Sequence, residues 1–159
     1  MDVFDVRAVT RQDCRDLWVW RNHPEVRKWS FNTGNLEYKE HKRWFEQRLK
    51  GRKAGMYIAE GKDGEKIGQA RFDLSSKGFA YISMNLNPNF IGKGLGSKVI
   101  KRATDTFLKE EPKVKAVVSE IIKENIGSIK AFQKAGYTFS NNSLKNGKQI
   151  AVSIFRRPE

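Results

Sequence analysis

Cysteine and histidine are nearly missing from this chain: Cys14, His23 and His41 are the whole supply. A single thiol excludes an internal disulfide, and so few soft ligands leave a structural zinc site without donors, so no metal is expected. Long apolar runs are absent too. None approaches the roughly 20 residues that cross a bilayer, and the opening Met1-Asp2-Val3-Phe4-Asp5 is too acidic for a secretory signal. The expectation is a cytoplasmic protein without membrane attachment. Acidic residues are scarce as well, with 18 Asp and Glu against 31 Lys and Arg and a formal charge of +13. Such a field draws polyanions, whether a phosphorylated cofactor, a nucleotide-sugar or an RNA, and it argues against polycationic acceptors, which need acidic clefts. A lysine-rich solvated surface is the plainer explanation of the same charge and carries equal weight.

What the chain does have suffices for one core. Its 159 residues, 38% hydrophobic and 31% charged, fit a single domain spanning 1–159. Residues 3–9 alternate and predict a strand; Thr10 with Asp13 predicts a capped helix start, with Leu17, Trp18 and Arg21 on the inner side. His23-Pro24 breaks that helix, residues 32–35 read as loop, and His41, Trp44, Phe45 and Leu49 recur at helical spacing. The period then changes to two. Residues 56–60 and 67–74 flank the hairpin signal Asp63-Gly64, and 79–86 place Ala80, Ile82, Met84 and Leu86 on one face against Tyr81, Ser83 and Asn85 on the other.

After Pro88 comes a glycine-rich stretch, then Leu95, Val99, Ala103 and Phe107 at helical spacing as far as Pro112. Residues 114–122 form an apolar run expected inside the sheet. Asn125 predicts an N-cap for a short helix with Ile126, Ile129 and Phe132 inward, stopped by Gly136. Residues 137–139 and 150–155, joined through Asn146-Gly147, predict a closing hairpin. Its outer edge permits a homodimer as readily as a monomer.

Chemistry concentrates at Asn87-Pro88-Asn89-Phe90-Ile91-Gly92-Lys93-Gly94-Leu95-Gly96-Ser97, between a strand and a helix. Glycines at alternate positions allow a tight turn that points several N–H groups at one ligand, and the helix start adds its positive end, a geometry suited to a pyrophosphate. The nucleotide motifs GxxxxGK and GxGxxG are absent. Downstream, Asn125-Ile126-Gly127-Ser128 opens a helix that runs to Phe132 and ends at Gly136-Tyr137.

The two segments together resemble the acetyl-CoA-binding core of the GNAT superfamily of N-acetyltransferases. There an Arg or Gln, two residues, a Gly, one residue and a Gly or Ala precede a later Asn-x-x-Ser/Ala with an aromatic and a terminal Gly-aromatic. Here the first pattern falls on residues 91–96, with Ile91 in place of the Arg or Gln. The resemblance implies a fold of class α/β (α+β): a mixed, mostly antiparallel sheet of about seven strands, helices on both faces and a splayed central strand pair. It implies acetyl-CoA as co-substrate and no metal. Cofactor contacts would come from Leu86, Asn87, Ile91, Gly92, Lys93, Gly94, Leu95, Gly96, Ser97, Asn125, Ser128 and Phe132, with the backbone of Leu86 and Asn87 free to hold the pantetheine arm.

Catalysis in the family is direct attack of a neutral amine on the thioester, the oxyanion held by a strand N–H, for which Leu86 is the candidate. Two proton transfers remain. Many members carry a Tyr where this chain has Phe132, so the donor would be water, Tyr81, Ser83 or Tyr137, the last more readily a core ring. Glu120 and His41 are candidate bases, although Glu120 equally suits an ion pair at its strand's end.

The N-terminal third, from Trp20-Arg21-Asn22-His23-Pro24 to Trp29 and on to Glu40-His41 and Phe45, resembles the bacterial acetyltransferases of pseudaminic acid synthesis, which act on the 4-amino group of a UDP-linked dideoxy sugar. That implies acceptor contacts from Arg21, His41, Trp44 and Tyr81, with Trp20, Trp29 and Trp44 available to stack on a ring. The plainer reading makes the tryptophans core and pairs Arg21 with Glu25. Alternatives for the acceptor are a protein N-terminus of the ribosomal type or another small amine; a nucleic-acid- or CoA-binding module without catalysis is the third reading.

Overall fold

The computed structural model describes residues 4–51 and 55–159; residue 3, where the first strand was expected to start, lies outside them. In order come β1 (Phe4–Ala8), a 3-10 turn (Arg11–Asp13), α1 (Cys14–Asn22), α2 (Pro24–Arg27), α3 (Tyr38–Lys50), β2 (Met56–Gly61), β3 (Lys66–Leu74) and β4 (Phe79–Leu86). A second 3-10 turn (Pro88–Phe90), α4 (Gly96–Glu110), β5 (Ala116–Ile122), α5 (Ile126–Lys134), β6 (Thr138–Lys145) and β7 (Lys148–Arg156) follow. The seven strands form one sheet in the order β1-β2-β3-β4-β5-β7-β6. Every neighbouring pair is antiparallel except β4 and β5, which run parallel because α4 carries the chain from one to the other.

Alternation within strands distributes the core over two faces. Tyr57 and Phe72 pack with Phe107, Val117, Ile121 and Phe132 on the α4–α5 side. Met56 and Ile58, their side chains reversed by the period of two, pack with Leu17, Trp20 and Phe45 on the α1–α3 side. The inner aromatic of α1 is therefore Trp20, 5% exposed, and not Trp18, whose indole N–H reaches out to the carbonyl of Leu36 at 2.6 Å. The expected inward Ile126 is also corrected: it is 54% exposed, because the first turn of α5 borders an open cavity.

Local signals act where they were read. Asn146 and Gly147 both take positive φ, the requirement of a two-residue turn matched to strand twist. Gly136 closes α5 at φ 98°, and the next amide, that of Tyr137, bonds back to the carbonyl of Phe132. The hairpin strands extend well beyond the expected 137–139 and 150–155. His23 ends α1 and also starts α2, its ring Nδ1 accepting the Glu25 amide.

Thr10 and Asp13 form a capping box. Asp13 is wholly buried, and Arg7 grips it through two bonds of 2.8 and 3.0 Å while Lys66 Nζ lies 2.8 Å from Oδ1. Burial alone would push the carboxyl up, but the bonds from Arg7, Lys66 and the Thr10 amide outweigh it and hold Asp13 well below the usual carboxylate range. A carboxylate depressed in the folded state contributes stability above its unfolded value of about 3.9 and loses it as pH falls through the folded one. Asp13→Asn is expected to lower unfolding free energy by about 3 kcal/mol at neutral pH, since two cations lose their buried partner. Urea titrations at neutral pH and below the unfolded value should show the gap between the two chains shrinking in acid.

Candidate functional site

The site begins with a failure of pairing. β4 and β5 are in register only over Phe79↔Ala116 to Ile82↔Ser119, after which they part. On its other side β4 stays paired with β3 to Gly68↔Leu86, and the Asn87 amide bonds the carbonyl of Ile67 at 2.8 Å. Because hydrogen-bonded and non-bonded pairs alternate in an antiparallel ladder, the peptide groups of Leu86 turn away from β3 and into the gap. The expectation that Asn87 offers a free backbone is thus corrected: its N–H is spent on β3, its side-chain amide donates to Lys66, and its Oδ1 accepts from Asn89.

Beside the gap lies a cavity of about 640 Å³ lined by Leu86, the glycine loop and the start of α5. Gly92 and Gly94 have φ of 80° and 75°, a region that L side chains avoid, and both line the cavity. Gly96 serves differently. It is the first residue of α4, with ordinary φ, and a Cβ there would make a normal contact with Ala131 at 3.5 Å. Across the cavity Asn125 caps α5, its Oδ1 accepting the Ser128 amide at 3.3 Å. Ile91, Leu95, Ser97, Asn125 and Ser128 all line this space; Lys93 does not, its ammonium lying over the Phe90 ring. Phe132 is 3% exposed and lines the neighbouring recess.

That recess, of about 300 Å³, shares Met84, Asn85, Asn125 and Ser128 with the first cavity. Its floor follows from register. Gln69 pairs with Asn85, Arg71 with Ser83 and Asp73 with Tyr81, so one sheet face carries six polar side chains. Glu120, one residue past the last β4–β5 pair, lines the recess with Ser83. The residues of β3 were missed in the sequence, where an alternating polar row reads as an ordinary solvated face. Residues 29–32 also line it, with Arg21 bonded to the carbonyl of Asn32. Two further spaces share lining residues with the recess. One, of about 190 Å³, is lined by Arg21, His41, Trp44, Gln69 and Arg71; the other, of about 460 Å³, by Phe31, Tyr81, Ser83, Glu120 and Lys145.

The candidate chemical groups differ sharply in their surroundings. Tyr137 is no proton donor for this space: it is 3% exposed in the core, bonded to Thr104 at 2.7 Å, and burial pushes its hydroxyl up. Trp20 cannot stack on a ligand from within the core, whereas Trp29 and Trp44 are 36% and 38% exposed at the cavities. His41 places Nε2 at 2.9 Å from the carbonyl of Cys14, which only accepts, so that nitrogen carries the proton and Nδ1 is left as acceptor; burial lowers the ring's affinity for a second proton. Arg21 does not pair with Glu25, which bonds Lys28 instead. One Arg21 nitrogen donates to the carbonyl of Asn32 at 2.8 Å, while Nη1 is buried and has no partner among the described residues. Burial, then the charges of Arg27 and Arg71, lower its affinity for its proton. Glu120 lies 2.7 Å from Lys145. No group of His, Cys, Asp and Glu among the described residues is arranged to hold a metal.

A family model described as an acetyltransferase (GNAT) domain matches residues 4–138. No curated protein matches the sequence. Among solved structures, spermidine N-acetyltransferase from Vibrio cholerae with CoA and spermine has a TM-score of 0.83 at 14% identity, covering 96% of this chain and 95% of that one. Aminoglycoside acetyltransferase AAC(6')-Ib with CoA and kanamycin has a TM-score of 0.81 at 19% identity, covering 97% and 95%. The YncA protein of Salmonella typhimurium, with acetyl-CoA, reaches 0.78 at 22%, covering 98% and 95%. At these identities the likeness is one of fold.

The glycine loop yields a direct expectation. Gly94→Val forces a branched side chain into a left-handed backbone at a cost of about 1–2 kcal/mol, so CoA affinity by calorimetry should fall about tenfold or more while the circular dichroism spectrum is kept.

Proposed function

The chain belongs to the acetyltransferase (GNAT) domain family and uses acetyl-CoA to acetylate an amine, and from that premise we propose that its acceptor is a small amino compound bearing an anionic group, foremost a nucleotide-linked 4-amino-dideoxy sugar. The observation that carries this reading is the buried Nη1 of Arg21, which lacks an acceptor among the described residues. A buried donor without a partner costs about 1–3 kcal/mol, more when charged, and a phosphate oxygen entering the recess would supply that bond. Arg71 stands on the same recess, so two guanidinium groups face one ligand.

The acidic side of the ledger points the same way. Asp73 is held by Arg48 and Arg71, and Glu120 by Lys145, so the carboxylates on this face are already matched by cations. A polycationic acceptor would meet two half-buried arginines and no carboxylate beyond Glu120, which the reacting amine itself needs. Trp29 and Trp44 offer exposed rings for a base or sugar face, and His41 Nδ1 offers an acceptor for a hydroxyl.

In this reading the diphosphate of CoA lies on the amides of residues 92–97 and the pantetheine arm follows Leu86, Asn125 and Ser128 to the gap. The acceptor amine attacks the thioester carbonyl from the recess, and the amide of Leu86 faces the developing oxyanion. Glu120, beside Ser83 at the floor, receives the ammonium and passes its proton toward solvent. Phe132 has no proton to give, and the thiolate takes its proton from water or through Ser83.

Thiol release from acetyl-CoA, followed across UDP-linked amino sugars, the same sugars without phosphate, peptides and polyamines, tests the proposal. The nucleotide-linked sugar should be preferred by about 100-fold in kcat/KM over its unphosphorylated form, as expected for roughly 3 kcal/mol of charge-assisted bonding. Arg21→Ala should erase that preference through KM and leave CoA affinity unchanged. Turnover with peptides alone would reject the sugar acceptor.

A further inference from the structure

The carboxylate at the floor of the acceptor recess already holds an alkylammonium, and it belongs to the chain itself. Lys145 ends β6 at the tip of the closing hairpin, and its Nζ lies 2.7 Å from Oε1 of Glu120 and 4.7 Å from the centre of the Phe31 ring. The hairpin is tied down once more by Lys148, whose ammonium reaches the carbonyl of Ser30 at 3.4 Å. These contacts bring a primary amine over the same floor that a small acceptor would use. Glu120 and Ser83 line both the space that holds Lys145 and the recess that continues through Met84 and Asn85 to the cofactor cavity. Among the residues lining the three acceptor-side spaces, Lys145 is the only lysine.

We propose that Lys145 is an internal acceptor, acetylated by the chain's own bound acetyl-CoA when no small amine occupies the recess. This rests on the acetyltransferase reading above. The ammonium gives a proton to solvent by way of Glu120; the freed Nζ lone pair attacks the thioester carbon. An N–C bond forms, the C–S bond breaks with its electron pair left on sulfur, and the second proton shed by the nitrogen is matched, through water, by the one the thiolate takes up. The products are N-acetyl-lysine and CoA, with no oxidant or further reactant. Loss of the charge removes the ion pair to Glu120 and the cation–π contact with Phe31, so the modified chain presents an unpaired carboxylate at its acceptor floor.

The full chain is incubated with acetyl-CoA alone, and acetyl incorporation is followed by intact mass and peptide mapping. The expected result is one acetyl group per chain, on Lys145, with first-order kinetics independent of protein concentration, as for a tethered reactant. Its rate should exceed that at Lys130 and Lys134, which line the cofactor cavity, by about tenfold or more, the advantage of a positioned amine. Glu120→Gln should slow it, Lys145→Arg should abolish the single addition, and Gly94→Val should suppress it together with CoA uptake. Labelling of Lys145 no faster than of the other lysines, or undiminished in Gly94→Val, would mean chemical acetylation by the thioester and overturn the proposal; a rate rising with protein concentration would overturn its intramolecular form. Turnover of a small acceptor with Lys145 unmodified removes this inference alone, whereas absence of both CoA uptake and thiol release removes the parent reading with it.

Discussion

The structure turns on the incomplete pairing of β4 and β5, the one parallel pair among the described residues. β4 and β5 agree in direction because a helix connects them, yet they hold register for four residue pairs and then diverge. A sheet that stayed zipped would spend the peptide groups of Leu86 on a neighbour and leave no passage between its faces. Parted, it leaves those groups facing a slot, with the glycine loop and the caps of α4 and α5 at one mouth and the polar face of β3 and β4 at the other. Cofactor and acceptor can then approach from opposite sides of one sheet and meet at its fault.

Much of this was legible in the residues. Thr10 and Asp13, Asp63-Gly64, Asn125, Gly136 and Asn146-Gly147 each impose a local backbone outcome through their own chemistry, and each does so here. The glycine loop and the Asn-x-x-Ser segment, singled out for the same reason, line one cavity. The acceptor side was less visible because register, not local sequence, assembles it. Gln69, Arg71 and Asp73 become a floor only once they pair with Asn85, Ser83 and Tyr81, and Lys145 joins them only through a hairpin that closes far downstream. Trp18 and Trp20 were exchanged because the buried side of α1 runs Cys14, Leu17, Trp20 at steps of three, which leaves Trp18 on its flank.

Charge has a division of labour that composition alone could not show. The buried Asp13 cluster uses Arg7 and Lys66 to fasten the N-terminal segment to the sheet, which is structural work. Arg21 and Arg71 stand instead in a recess, one of them with an unmet donor. A +13 chain thus places part of its excess in a partly enclosed recess, and there a charge counts for more than on a screened surface.

Amide hydrogen exchange with and without CoA tests the central claim most directly. Protection should rise at Leu86, across residues 92–97 and at Ser128, while the amides of β1 and β6, far across the sheet from the gap, stay as they were. Unchanged exchange at Leu86 and the glycine loop under saturating CoA, or protection confined to another face, would contradict the account.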